Sequence, residues 1–517
     1  MPQQPDIVLF MLDQLSARWI EDPASRCVPT PNIDRLRSSG VTFTRTCTSN
    51  PVCMPARSTL ATGLTTRQHG VLQNGYSLDP ELPTFMRLLQ QSGRRTGAFG
   101  KVHLHPHFAG VHPDYSPYGF DETHITEDPR AGDWLDWIRA EHPEHEEAAL
   151  ATIWCSDVPE LQRYGPDQED LSSRIKRIRS EFDWTTPEFP ENTPGHYTLP
   201  FPEEISQTAW ITRHALDFIR STDPDDPLFA QVSYVQPHSP SCPPAEYMDR
   251  VDTSRIPEPA PVEWSGEPPP PPRFHPARAA PPPRPPKRGG RPREFFAHLA
   301  HLDEQLGRLI DTLQETGRWD NTCLILLSDH GELLQDHGLR GKGEFHYDAC
   351  IRVPLIIAGP GLDAGTERDE FAQLEDIFPT VLEMAGLPLP APPVEGPYMQ
   401  ETPQRYPGRS LLPLCRGETP GNWRDCAYVE SYNNINSATP ANWARTIVTK
   451  NYRYTLYPNE SGEQLFDLTE DPQEQRNLAA SSTHQTTRRT LQRRLLDKII
   501  LQDFPHPTRE LYAHGVH

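Results

Sequence analysis

No run of about 18 apolar residues occurs in this chain, so the sequence offers no membrane-crossing helix. The N-terminus lacks a charged stretch, a long apolar stretch and a cleavage site. Met1-Pro2-Gln3-Gln4-Pro5-Asp6 leads directly into Ile7–Leu12, and no secretory signal is visible. The nine cysteines are scattered, odd in number and never spaced as C-x-x-C, which excludes a disulfide framework and a paired-thiolate metal site. Together these absences lead us to expect a reducing, cytoplasmic setting. Basic residues are outnumbered, 49 Lys and Arg against 71 Asp and Glu, and the net charge of −22 argues against nucleic acid or an anionic membrane as a partner. No internal repeat is evident, and oligomeric state is not legible.

The 517 residues suffice for a large core, and we expect one large domain over residues 1–414 and a smaller one over 415–517. Apolar, β-rich runs alternate with helical stretches, the pattern of an α/β layered fold with a large, mostly parallel sheet between helices. Ile7–Leu12 ends in Asp13-Gln14. Thr96–Gly100 ends in Lys101-Val102-His103, Leu228–Val235 in Gln236-Pro237-His238, and Cys323–Leu327 in Ser328-Asp329-His330-Gly331-Glu332. Ligands of open α/β sheets bind beyond the carboxyl ends of strands, so these four endings define one edge holding a metal and an anion. Stripes at three- and four-residue spacing, Phe295 to Leu313 before Gly317 and Ala209 to Ile219, mark core helices without chemistry of their own.

Asp13, Gln14, Asp329 and His330 offer two carboxylates, an amide oxygen and an imidazole, a set suited to Ca²⁺, Mg²⁺ or Mn²⁺ more than to a thiolate zinc site. Each alone is an ordinary turn or helix-cap residue, and only the set points to a cation. Cys53-Met54-Pro55-Ala56-Arg57 reads as C-x-P-x-R and opens a helix, with Pro55 in the first turn where no intrahelical N–H is needed. An anion beside Cys53 would meet free amides and the positive end of the helix dipole.

This pentapeptide and its extension Ser58-Thr59-Leu60-Ala61-Thr62-Gly63 resemble the type I sulfatases of the alkaline phosphatase superfamily. The resemblance implies that a formylglycine-generating maturation enzyme oxidises Cys53 to Cα-formylglycine. It places Asp13, Gln14, Asp329 and His330 on the metal-ligand positions, with the modified Cys53 completing the shell. Gln14 and His330 stand where many sulfatases carry Asp and Asn; these versions occur in choline-sulfatase-like and phosphonate-hydrolase-like branches, so Ca²⁺ is expected first, with Mn²⁺ or Mg²⁺ as alternatives. Sulfate transfer needs cations at the nonbridging oxygens, for which Lys101 and Lys342 are candidates, and a proton for the leaving alkoxide, for which His238 is the candidate. By resemblance His103 assists the formylglycine and Arg57 orients it, while Asn74 is a candidate substrate contact. In an extended segment His103 would share the face of Lys101.

The expected activity is hydrolysis of a small anionic sulfate monoester. The alternative is hydrolysis of phosphonate monoesters or phosphodiesters on the same scaffold, against which the Lys101-Val102-His103 pair speaks. A third reading, a noncatalytic binding protein of this fold, has every polar position against it.

Proline is abundant, and residues 256–293 concentrate it in an extended surface loop that bears Arg273, Arg278, Arg284, Lys287, Arg288, Arg291 and Arg293. This loop is a solvated linker or a cover that draws an anion to the site. Residues 104–205, aromatic and acidic with weak periodicity, are expected to fold over the same rim. After residue 415, short alternating runs and a helix over Thr486–Leu501 predict a small antiparallel sheet with a terminal helix. There Gln464-Leu465-Phe466-Asp467 through Pro472, followed by Asn477-Leu478, resembles the C-terminal sulfatase hallmark.

Overall fold

A computed structural model describes residues 4–21, 26–261, 291–390, 406–432, 443–458 and 462–502. Its strands are β1 (Asp6–Asp13), β2 (Gly40–Phe43), β3 (Thr46–Cys47), β4 (Arg95–Gly100), β5 (Glu122–Ile125), β6 (Leu228–Pro237), β7 (Thr322–Ser328), β8 (Leu355–Ala358), β9 (Thr366–Arg368) and β10 (Ala372–Gln373). The small C-terminal sheet adds β11 (Cys426–Ser431), β12 (Ala444–Thr449), β13 (Tyr452–Leu456) and β14 (Glu463–Asp467).

Eight strands form the main sheet in the order β5-β4-β6-β1-β7-β8-β2-β9. Only β8 runs against the others, pairing antiparallel with both β7 and β2. All eight residues of β1 are buried because the strand is central and covered on both faces, which explains its unbroken apolar run. Its side chains still alternate. Val8, Phe10 and Leu12 enter one core with the helices Gln207–Ser221 and Arg293–Glu315, whereas Ile7, Leu9 and Met11 enter the opposite core with the helices Cys53–Thr62, Phe85–Gln91 and Ile377–Met384. Both striped helices fall where expected, and Gly317 ends the second with φ +69°.

The four strands announced by their chemistry, β4, β6, β1 and β7, are adjacent and parallel, so their carboxyl ends share one edge. Residues 104–205 do more than fold over the rim. They supply edge strand β5 and three helices, Asp133–Glu141, Glu146–Thr152 and Leu171–Glu181, whose Trp134, Leu135, Ile138, Leu150 and Ile175 join the first core. The periodicity is weak because each helix is short. Part of the region is therefore a side layer, while other parts reach the rim as expected.

The C-terminal sheet is antiparallel throughout, in the order β11-β12-β13-β14. The helix Gln485–Gln502 covers one face through Leu491 and Leu495, and the other face packs Ala427, Val429 and Phe466 on Leu333, Tyr347 and Ile351 of the main body. Most of the Pro-rich stretch, residues 262–290, lies outside the described residues. At its two margins, Ala260 and Arg291 bond to Asp336. Among the described residues no helix is long and apolar enough to cross a membrane.

Candidate active site

Beyond the carboxyl ends of β1 and β7, ligand atoms of Asp13, Cys53, Asp329 and His330 lie within 4.8 Å of one another, and all four residues are buried. The chain leaves β1 with Gln14 in a left-handed conformation, φ +70°, which lets its N–H donate to Asp329 Oδ1 at 3.1 Å. The His330 N–H donates to the same oxygen at 2.9 Å. His330 Nδ1 lies 3.0 Å from the Gly331 carbonyl, an acceptor only, so Nδ1 carries the proton and the Nε2 lone pair faces inward. That Nε2 is 3.6 Å from Asp329 Oδ1, 3.7 Å from Asp13 Oδ1 and 3.2 Å from Cys53 Sγ. Burial holds the His330 pKa below its ordinary value, which keeps the ring neutral.

Asp13 Oδ1 is buried with no hydrogen-bond partner, an arrangement that is costly without a ligand. Burial would raise the Asp13 pKa, but Lys101, then Lys342, His238 and Arg57, hold it well below the carboxylate range. An orphaned carboxylate oxygen, a neutral imidazole lone pair, a second carboxylate and an amide oxygen converge here. This donor set fits a hard divalent cation.

The helix Cys53–Thr62 is buried along its whole length, Cys53 included. Gly63 ends it at φ +67°, where an added Cβ would lie 2.8 Å from Phe378. Val52, the residue before the helix, gives no side-chain cap. Instead Asn74 Oδ1 accepts from the Met54 N–H at 3.0 Å, so the candidate substrate contact holds the helix start and occupies one of its free amides. Cys53 Sγ lies 2.7 Å from Lys342 Nζ. Its thiol is pushed up to about 11, by burial first and then by Asp13, against the pull of Lys101 and Lys342. It is not a poised thiolate.

Arg57 spans the site from below. Its Nε donates to Asp329 Oδ2 at 2.8 Å, Nη1 to the Lys101 carbonyl at 2.8 Å and to Ser233 Oγ at 3.0 Å, and Nη2 to Asp13 Oδ2 at 3.3 Å. Lys101, wholly buried, bonds Asp13 and Asp128. Despite the desolvation that opposes its charge, Asp128 and Asp13 raise its pKa, so the ammonium stays charged. His103 faces Cys53 and Asp128, with ligand atoms of the three within 4.8 Å. It gets there through a left-handed turn, φ +55°, and not through the extended segment we expected. Both of its ring nitrogens are buried without partners, and the ring stacks on His107 at 3.9 Å. Burial, His107 and Lys101 push its pKa well down.

His238 is half-buried at the mouth. Nδ1 lies 2.6 Å from the Ser239 carbonyl and carries the proton, leaving Nε2 for the site. Desolvation and then Lys342 lower its pKa to about 4. All the candidate residues thus converge on one pocket, with Asn74 at its supporting edge. Sequence reasoning missed Asp128, which holds Lys101 and His107, and Glu127, which accepts from the His103 N–H at 2.8 Å and from Tyr115 Oη at 2.7 Å; it met Glu332 at a strand end but gave no role to this residue, which bonds the Gln14 amide. The first two follow the carboxyl end of β5, so the strand-end rule extended to this short strand would have found them. Beside Gln14 a cleft of about 560 Å³ opens between Glu191, Thr193, His196, Glu294 and Arg340. Here, as at His107, Glu127 and Asp128, residues 104–205 reach the rim.

The family profile described as Sulfatase matches residues 5–387, and the profile described as N-sulphoglucosamine sulphohydrolase, C-terminal, matches residues 335–500. The chain is 26% identical over 497 residues to an arylsulfatase of Clostridium perfringens, covering 93% of this chain and 91% of that protein. It is 27% identical over 521 residues to the multifunctional alkaline phosphatase superfamily protein PehA of Trinickia caryophylli, covering 93% and 92%. Among solved structures, the phosphonate monoester hydrolase of Agrobacterium radiobacter is similar at a TM-score of 0.73 and 26% identity, with 96% of each chain covered. With a cysteine-led helix and a cation-binding donor set at one sheet edge, and a family match over most of its length, the chain belongs to the sulfatase family, in the alkaline phosphatase superfamily, and is a sulfuric ester hydrolase.

Proposed function

We propose that the protein hydrolyses a sulfate monoester to an alcohol and sulfate, with formylglycine at position 53 and one divalent cation, Ca²⁺ before Mn²⁺ or Mg²⁺. The observation that carries this reading is the setting of Cys53: its Sγ lies among Lys342, His330 and the orphaned Asp13 oxygen, yet burial keeps the thiol protonated. Sγ marks where an oxygen of the modified side chain would stand. A cysteine in that environment is a poor nucleophile, whereas its C-x-P-x-R context suits oxidation by a maturation enzyme. The hydrated aldehyde supplies two hydroxyls on one carbon, one to displace the alcohol at sulfur and one whose deprotonation then expels sulfate. Asp13, Gln14, Asp329 and His330 would hold the cation, which supplies Lewis-acid polarisation when bound.

The chain's own residues do the rest. Lys342 and Lys101 set positive charge at the nonbridging oxygens, with Lys101 held in place between Asp13 and Asp128. Arg57 fixes both metal-binding carboxylates and so orients the helix start. His103, beside position 53 and with neither ring nitrogen partnered, would take a proton from its hydroxyl. His238 is neutral in the free protein. An anionic substrate favours its protonation, after which Nε2 delivers a proton to the leaving oxygen.

Mass spectrometry of the peptide containing position 53, from protein produced with a formylglycine-generating enzyme, is expected to show exchange of sulfur and two hydrogens for one oxygen. Fully active protein bearing only cysteine would refute the proposal. A second reading, phosphonate monoester hydrolysis, is favoured by the likeness to the Agrobacterium radiobacter enzyme. Matched kcat/KM values for an aryl sulfate and an aryl phosphonate monoester separate the two. The Lys101 and His103 positions support the sulfate.

A further inference from the structure

Gln14 is the unusual member of the cation set, because an amide can present either its oxygen or its NH₂ group. Its two neighbours remove the choice. Lys342 Nζ, which can only donate, lies 2.9 Å from one end of the amide, and the carboxylate of Glu332 bonds the other end. An ammonium requires the amide oxygen and a carboxylate requires the NH₂, so the oxygen must point into the site beside Asp13 and Asp329.

Glu332 is itself locked. It is 6% exposed, and while Oε2 receives the Gln14 NH₂, Oε1 accepts backbone N–H groups from Leu334 at 3.0 Å and Gly341 at 2.5 Å. Those two amides lie at opposite ends of a loop that also closes through Leu333 N–H to the Gly341 carbonyl at 3.1 Å. Leu334, Gln335 and His337 in this loop all have positive φ, a conformation that persists only where surrounding contacts impose it. The loop ends at Lys342. One side chain therefore sets the orientation of the Gln14 amide and closes the loop that delivers Lys342.

We infer that Glu332 is a positioning residue of the cation site, and that Gln14 and Glu332 work as a matched pair in which amide and carboxylate can be exchanged but neither can be changed alone. The inference rests on the reading of this pocket as a divalent-cation site. Glu332→Gln leaves one oxygen for the loop N–H groups and turns an NH₂ toward the NH₂ of Gln14, which must flip or lose its partner. Gln14→Glu places two carboxylates in contact. In the double variant, Glu at 14 accepts from Gln at 332, whose oxygen still receives the loop amides, and every donor again meets an acceptor.

The test is Ca²⁺ binding to purified, chelator-treated protein by titration calorimetry, repeated with Mn²⁺, so that the readout does not depend on turnover. Replacement of a group that orients a metal ligand typically lowers affinity about 10- to 100-fold, and each single variant should fall in that range. The double variant is expected to recover at least about tenfold over either single variant, a coupling that general destabilisation would not produce. Unchanged affinity in Glu332→Gln, or losses that simply add in the double variant, would overturn the pairing while leaving the cation reading intact. Wild-type protein that binds neither ion would overturn both.

Discussion

Strand β1 carries a buried aspartate at each end, Asp6 and Asp13, and the two have opposite fates. At the amino end Asp6 is fully satisfied: Oδ1 accepts the Leu228 N–H at 2.9 Å and Oδ2 accepts Arg318 Nη1 at 2.9 Å. Burial outweighs these bonds and raises its pKa. At the carboxyl end Asp13 is surrounded by Lys101, Lys342, His238 and Arg57, which together outweigh burial and lower its pKa, yet Oδ1 has no partner. Residue type, strand, charge and burial are shared. What separates a structural carboxylate from one suited to bind a cation is an acceptor left open among convergent donors, and the excess of positive charge that keeps it ionised.

The comparison breaks most severely if Asp13 proves dispensable. Removing one preorganised electrostatic contact costs about 100- to 1000-fold in kcat, and Asp13→Asn, which touches both Lys101 and the cation set, is expected to lose at least that, with bound cation falling in parallel by elemental analysis. Asp6→Asn should leave kcat unchanged and lower stability by only about 1 to 2 kcal/mol in urea unfolding, because the amide loses one of the two acceptors while the charge it removes is already disfavoured by burial and Arg318 keeps its carbonyl partners. Activity loss without stability loss in Asp6→Asn would erase the distinction.

His238 sharpens the same edge. A general acid contributes about 100-fold or more where the leaving group is poor, so His238→Ala should reduce turnover of alkyl sulfates by that factor and of activated aryl sulfates much less. Because its pKa in the free protein is lowered to about 4, kcat/KM for an alkyl sulfate should climb as pH falls toward that value. This limb should vanish in His238→Ala.

The two aspartates also predict opposite pH responses. Asp13 is depressed, so it stabilises the fold above the ordinary carboxylate value of 3.8 and this contribution is lost as pH falls through its folded value. Asp6 is raised, so its ionisation weakens the fold as pH rises above 3.8. In cation-free protein, urea midpoints on acidification should therefore fall less steeply for Asp13→Asn than for wild type, and more steeply for Asp6→Asn, which removes a group that gains stability on protonation. The smallest effect is expected at Asn74, which holds a helix start: Asn74→Ala should cost about 1 kcal/mol in stability with KM little changed. A large rise in KM would instead support its candidacy as a substrate contact.

Much of this was legible because it is local. The apolar run of β1 and its ending in Asp13-Gln14, the stripes that became Gln207–Ser221 and Arg293–Glu315, and Cys53-Met54-Pro55-Ala56-Arg57 at a helix start all depend on near neighbours in the chain. Short-range periodicity and turn chemistry carry such information in a single sequence. The helices within residues 104–205 were not legible because helices of 7 to 11 residues show too few repeats to reveal a stripe.

Adjacency belonged to the tertiary structure alone. Strand order brought Asp13 beside Asp329 and Arg57, more than 250 residues apart along the chain in the case of Arg57 and Asp329. It also put Asp128 on Lys101 and Glu332 on Gln14, pairings that strand ends alone do not specify. The sequence determined which groups the strand ends would offer. Only the packed sheet decided which carboxylate would be satisfied and which left open, because hydrogen-bond satisfaction depends on neighbours that chain order does not specify.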